Sequence, residues 1–82
     1  MPFDHESELY FSYPSERRAR IVAAALRPEV GDIDDPRSEA YVDRTRDQVT
    51  VRVAATDLVA LRAGINSWVR LVSVAESVPH DA

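Results

Sequence analysis

Few side chains in this sequence are suited to covalent chemistry. The two histidines, His5 and His80, lie close to the chain ends, where neither is held firmly enough for acid–base work. Cysteine is absent, which removes a thiolate nucleophile, thiolate metal ligands and any disulfide framework. The serines lack a base and an orienting acid on rigid elements. Glycine occurs only at Gly31 and Gly64, so no phosphate-cradling loop can be built. Carboxylates gather at Asp32, Asp34 and Asp35, but without the glycine and closing glutamate of an EF-hand, and a solvated loop is the expectation. No catalytic, metal or cofactor site is expected, and the chain is not expected to be an enzyme.

What remains are polar side chains with helical spacing. Arg62, Asn66 and Arg70 recur at i, i+4 and i+8 and line one ridge. Such a ridge is either a solvated face or a contact surface for protein or RNA phosphate, since guanidinium pairs well with both carboxylate and phosphate. The net charge is −4, with 14 acidic against 10 basic residues. That balance argues against a freestanding nucleic-acid binder. Every basic residue is arginine, which fits a GC-rich genome, a high-salt cytoplasm or selection for interface contacts equally well.

The elements that position these residues follow from changes in hydrophobic period. Glu6 to Tyr13 alternates, placing Leu9, Phe11 and Tyr13 on one face of a strand and Tyr10 on the other. Pro14 stops it and Ser15 caps a helix whose apolar residues, Ala19 to Leu26, run until Pro28. Glu29 to Pro36 is an acidic loop. Glu39 to Arg46 and Gln48 to Ala55 alternate again around a tight turn at Asp47 and read as an antiparallel hairpin, with Tyr41, Thr50 and Arg52 on its outer side. Thr56 or Asp57 then caps a long helix reaching about Val78. The expected fold is α+β in the order β-α-β-β-α, with a three-stranded sheet covered on one face by two helices, as in KH domains but without their GXXG loop.

A single domain over residues 6–78 is expected, flanked by short tails at 1–5 and 79–82. No positively charged start followed by an apolar run marks a signal peptide, and no run approaches about 20 apolar residues, so a cytoplasmic chain away from membranes is expected.

The last helix carries more apolar surface than a lone domain needs. At about 100° per residue, Leu58, Leu61, Ile65, Trp68, Val69, Val72 and Ala75 fill one arc, which is expected to face the sheet. Ala60, Ala63, Gly64, Leu71, Val74 and Val78 continue beyond it. The surplus either receives the first helix or forms an interaction site. Ala63, Ser67, Leu71, Val74 and Val78, with Ala23 of the first helix, are the candidate partner surface.

The run from Ala55 to Arg70, A-T-D-L-V-A-L-R-A-G-I-N-S-W-V-R, resembles the signature of the Pcc-one family. This is the small dimerisation subunit of the KEOPS complex, called EKC in eukaryotes, and the likeness is to the archaeal type. Its D-L-x-A-L-R-A-x-x-N-S pattern is met at every fixed position from Asp57 to Ser67. A Pro-Ser lead-in to the first helix and an exit through Leu26, Pro28 and Glu29 are similar too, so the likeness covers residues 6–78. Gly64 departs from the family's usual alanine, which weakens the helix by about 1 kcal/mol but allows close approach.

The resemblance implies a non-catalytic scaffold. KEOPS makes the threonylcarbamoyl modification on the adenosine beside the anticodon of tRNAs that read codons starting with A. A separate catalytic subunit holds the metal and transfers the group. The small subunit forms a homodimer, packs its helices on those of the catalytic subunit and helps hold tRNA. Asp57 is then expected to cap the helix, Leu58 and Leu61 to be core, and Arg62, Asn66 and Ser67 to make polar contacts, with Arg70 continuing their ridge. The outer sheet face, with Tyr10, Tyr41, Thr50 and Arg52, is the candidate dimer contact. The competing expectations are a KH-like RNA-binding module and a generic adaptor for another helical protein.

Overall fold

The computed structural model of the chain describes residues 2–30 and 36–77. Five elements follow one another: β1 (His5–Ser12), α1 (Glu16–Leu26), β2 (Ser38–Thr45), β3 (Gln48–Ala55) and α2 (Leu58–Glu76), with a 3-10 turn at Arg27–Glu29 closing α1. The sheet order is β1-β3-β2, antiparallel throughout. This is the β-α-β-β-α arrangement that the alternating periods predict.

The alternation sets the two faces. Leu9 and Val42 both stand opposite Val51, and Phe11 and Arg44 both stand opposite Val49, on the face covered by the helices. Val49, Val51 and Val53 of the central strand are fully buried, while the edge strands are half-covered. On the other face Tyr10, Thr50 and Asp43 form one row and Glu8, Arg52 and Tyr41 the next. The hairpin closes through Arg46 and Asp47, with Arg46 in the left-handed region at φ 58°. Arg44 stabilises this turn by donating from Nη1 to the Arg46 carbonyl at 2.9 Å.

Both helices start on side-chain caps. Ser15 Oγ accepts from the Arg18 amide at 3.1 Å, and Asp57 Oδ1 accepts from the Ala60 amide at 2.7 Å, each satisfying one of the amides a helix start leaves unpaired. The chain topology makes α1 and α2 antiparallel, so the start of α1 meets the end of α2. There Arg18 donates from Nη2 to the Glu76 carbonyl at 2.6 Å. Tyr13, just after β1, donates its hydroxyl to Glu76 Oε2 at 2.7 Å.

The helices lie on the sheet differently from the simple wheel. Ala60, Trp68, Val72 and Ala75 are the buried line of α2, and Gly64 sits directly over β3, with Val53 Cγ1 only 2.8 Å from where a Cβ would stand. Leu58 and Val69, expected to face the sheet, are 63% and 48% exposed. Small residues at 60, 64 and 75 explain the rotation. They let the helix backbone come close, which turns the bulkier Leu58 and Val69 outward. Ala23 is likewise corrected: it is fully buried in the core with Ala19, Val22 and Leu26, and Ala24 takes the outward position. An 11-residue helix that must cover β2 and part of β3 has no small residue to spare on its inner side.

With 19 residues and a mean hydropathy of 1.3, α2 is long and apolar enough to cross a membrane, so the sequence does contain one such run. Its buried line on the sheet and the arginines projecting from its opposite side are those of an amphipathic helix lying on a sheet.

Candidate interaction surfaces

Two faces of the domain carry exposed groups that neither core nor loops require. The first is the outward half of α2. Val59 and Val74 are 73% and 61% exposed, with Ala63 exposed between them. Arg62, Asn66 and Arg70 run along the crest of the same half, all exposed. Ser67 and Leu71 are half-buried on the flank toward α1, and Leu71 packs against the core from there. Of the residues singled out from the sequence, Ala63, Ser67, Leu71 and Val74 thus share one side of α2. Ala23 does not join them, and Val78 and the acidic loop at 31–35 lie outside the described residues. Val59 was the residue missed. It occupies a variable position of the motif, and the wheel places it on the same outward half.

The second face is the open side of the sheet. Tyr10 is 59% and Tyr41 47% exposed, and the Arg52 guanidinium lies 4.9 Å from the centre of the Tyr41 ring. Glu8, Tyr10, Tyr41, Asp43, Thr50 and Arg52 surround a shallow hollow of about 420 Å³. Glu6 and Glu39 flank Ala54 one row further on. Arg52 is therefore a single cation among four carboxylates. The negative field is felt by Tyr10, whose phenol is pushed above its ordinary range chiefly by the Glu8 carboxylate.

Tyr13 and Glu76 make a third cluster, which is structural. Burial pushes the Tyr13 phenol well up, the Glu76 carboxylate that accepts its hydrogen bond adds to this, and Arg18 opposes it. The cluster ties both helices to the end of β1 and offers no nucleophile. Among the described residues no three His, Cys, Asp or Glu side chains are grouped as a metal site needs.

The sequence from residue 6 to residue 79 matches the family described as transcription factor Pcc1. The chain belongs to the Pcc1 family. Pcc1 proteins are small, non-catalytic KEOPS-type subunits, the family that the Asp57–Ser67 signature resembles. One chain of a structure described as the crystal structure of the binary complex Gon7-Pcc1 superposes on this one with a TM-score of 0.80. Identity is 24%, and 90% of each chain is covered, a likeness of fold. No curated protein sequence matches the chain. In this Pcc1-family chain the signature maps onto the first half of α2. Asp57 is its cap, Leu61 is half-buried and packed on the core, and Leu58 is solvent-facing rather than core. Gly64, the departure from the family alanine, is the point of closest approach to the sheet.

Proposed function

We propose that this chain is the scaffold subunit of a KEOPS-type complex that makes threonylcarbamoyladenosine beside the anticodon of tRNA. Its helical face docks on helices of the catalytic subunit, its open sheet face joins a second copy, and the pair helps hold tRNA without contributing catalytic groups. The observation that carries this reading is the outward apolar surface of α2. Val59 and Val74 are more than half exposed on the helix that bears the family signature. Each leaves apolar area in water that burial would recover at roughly 25 cal/mol per Å². An interface of standard size needs such area at its centre.

The alternative of a KH-like RNA module shares the layering but lacks the GXXG clamp, since the two glycines stand far apart in sequence. A generic adaptor would explain the apolar surface and leave the motif without a role.

Light scattering of the purified chain, alone and mixed with the KEOPS catalytic subunit of the same organism, tests the proposal. The expected result is a dimer that takes up two catalytic units, with Val74→Arg abolishing uptake. A monomer that ignores the catalytic subunit overturns it.

A further inference from the structure

The charges of this acidic chain are sorted by face. Helices α1 and α2 together contain five arginines, at 17, 18, 20, 62 and 70, and two acids, Glu16 and Glu76. Both acids are engaged, Glu16 with Arg44 at 3.4 Å and Glu76 with Tyr13. The open sheet face carries Glu6, Glu8, Glu39 and Asp43 around Arg52. A net charge of −4 thus conceals a basic helical face.

On that face an apolar furrow runs between the arginines of the two helices, with Arg17 and Arg70 nearer to it and Arg20 and Arg62 further round their helices. Arg18, Ile21 and Ala25 form the flank of α1 turned toward α2, as the Arg18–Glu76 bond shows, and Ile21 and Ala25 are only half-covered. Ser67, Leu71 and Val74 form the facing flank of α2. Arg17 and Arg20 stand outside this furrow on α1, and Arg62 and Arg70 stand outside it on α2, all exposed. None of these four side chains makes a hydrogen bond or ion pair with another described residue.

We infer that the furrow seats an amphipathic helix whose apolar edge enters between α1 and α2 and whose flanks are acidic on both sides. The assignment rests on the docking proposed above and names the chemistry of the docked surface. Two antiparallel helices about 8–10 Å apart present a groove into which the ridge of a third helix packs. Carboxylates on either side of that ridge then meet a guanidinium each, in a bidentate geometry that lysine could not offer. An RNA backbone would use the arginines but would leave Val74 and Ile21 facing phosphate. The mixture of apolar furrow and cationic banks therefore favours a protein helix. Charge complementarity also excludes the chain's own helices as the occupant, because they are basic.

The test uses the full chain and two labelled helical peptides of about 18 residues with an identical leucine–alanine edge, flanked by glutamate in one and by glutamine in the other. Fluorescence anisotropy is expected to show the glutamate peptide binding about tenfold tighter at about 50 mM salt, with the advantage lost at about 500 mM. The combined R17Q, R20Q, R62Q and R70Q variant should remove the preference and keep the weaker apolar binding, while V74R removes both. Equal binding of the two peptides, or no binding of the glutamate peptide, overturns the inference. So does an unstructured RNA that binds through the same four arginines more tightly than the glutamate peptide. The parent proposal fails separately. A chain that prefers the glutamate peptide but ignores the catalytic subunit keeps the surface and loses that partner. Uptake of the catalytic subunit unchanged by the four substitutions keeps the partner and loses the acidic chemistry.

Discussion

Gly64 presses against Val53: a methyl group on the glycine would lie 2.8 Å from the valine's Cγ1. Two effects therefore oppose each other when Gly64 is replaced by alanine. The helix gains about 1 kcal/mol in propensity. The new methyl meets a β-branched side chain in the buried central strand, at a cost of about 1–3 kcal/mol. Gly64→Ala is expected to destabilise the domain by about 1 kcal/mol in urea unfolding, and to do so much less on a Val53→Ala background. A rise in the unfolding midpoint from Gly64→Ala alone would show that α2 lifts freely off the sheet.

The Tyr13–Glu76 bond gives stability a pH dependence of known sign. The folded phenol titrates above the ordinary value of 10.0, so the folded state favours its neutral form. That contribution is whole below pH 10 and is lost as pH rises from there toward the raised folded value. Tyr13→Phe should cost about 1 kcal/mol at neutral pH and flatten the alkaline limb of a stability profile. Identical alkaline limbs for variant and parent would refute the assignment.

Trp68 and Val74 lie on the same helix with opposite environments, 2% and 61% exposed. Trp68→Ala should cost about 3–5 kcal/mol, a large share of the stability of so small a domain. Val74→Arg should stay within about 0.5 kcal/mol of the parent and act only on docking. Thermal unfolding of both variants separates core from surface. A strongly unfolded Val74→Arg would place that residue in the core instead.

Arg46 occupies a left-handed backbone at the first position of a two-residue hairpin turn, where glycine carries no steric penalty. Arg46→Gly should stabilise the fold by up to about 1 kcal/mol, since the strain relieved outweighs the added freedom of the unfolded chain. The carbonyl that Arg44 uses is kept. Loss of stability would mean that the Arg46 side chain contributes more than its backbone costs.

On the open sheet face, Arg52→Glu leaves an unbroken group of carboxylates from Glu6, Glu8, Glu39 and Asp43. Two such faces repel, so the variant is expected to be monomeric by light scattering wherever the parent is dimeric. The monomer loses the contact with Tyr41, about 0.5–1 kcal/mol, and gains a carboxylate directly opposite Glu8, which costs up to about 1 kcal/mol more. A dimer that survives the charge reversal would move the contact elsewhere.

The fold was legible because period and punctuation agree. Leu9, Phe11 and Tyr13 alternate, Ser15 and Asp57 cap, Pro28 stops α1, and the turn at Asp47 leaves little choice of hairpin register. The rotation of α2 was not legible, because a wheel weighs hydrophobicity and ignores size. It set Leu58 above Gly64 as a core residue, whereas packing chose the glycine for its closeness and left the leucine outside. For the same reason Ala23 could not be told from Ala24. The furrow between the helices depends on how α1 and α2 sit side by side, which no single periodicity encodes. Its arginine banks were half visible, through Arg62 and Arg70, and Arg17 and Arg20 joined them only once α1 was placed.

The strand order has a bearing on how the chain is made. β2, β3 and α2 follow one another through two-residue links, and their contacts are local. Of the pairs that join β1 to β3, even the nearest in sequence, Ser12 with Gln48, closes the whole stretch from Tyr13 to Asp47. Contacts that close longer loops form later. Pulsed hydrogen exchange during refolding should therefore protect the β2–β3 amides before those of Leu9 and Phe11. Simultaneous protection would mean that no such order exists. β1 leaves the ribosome before β2 and β3 yet is the last of the three to find its place, and until β3 has been synthesised β1 has no strand to join.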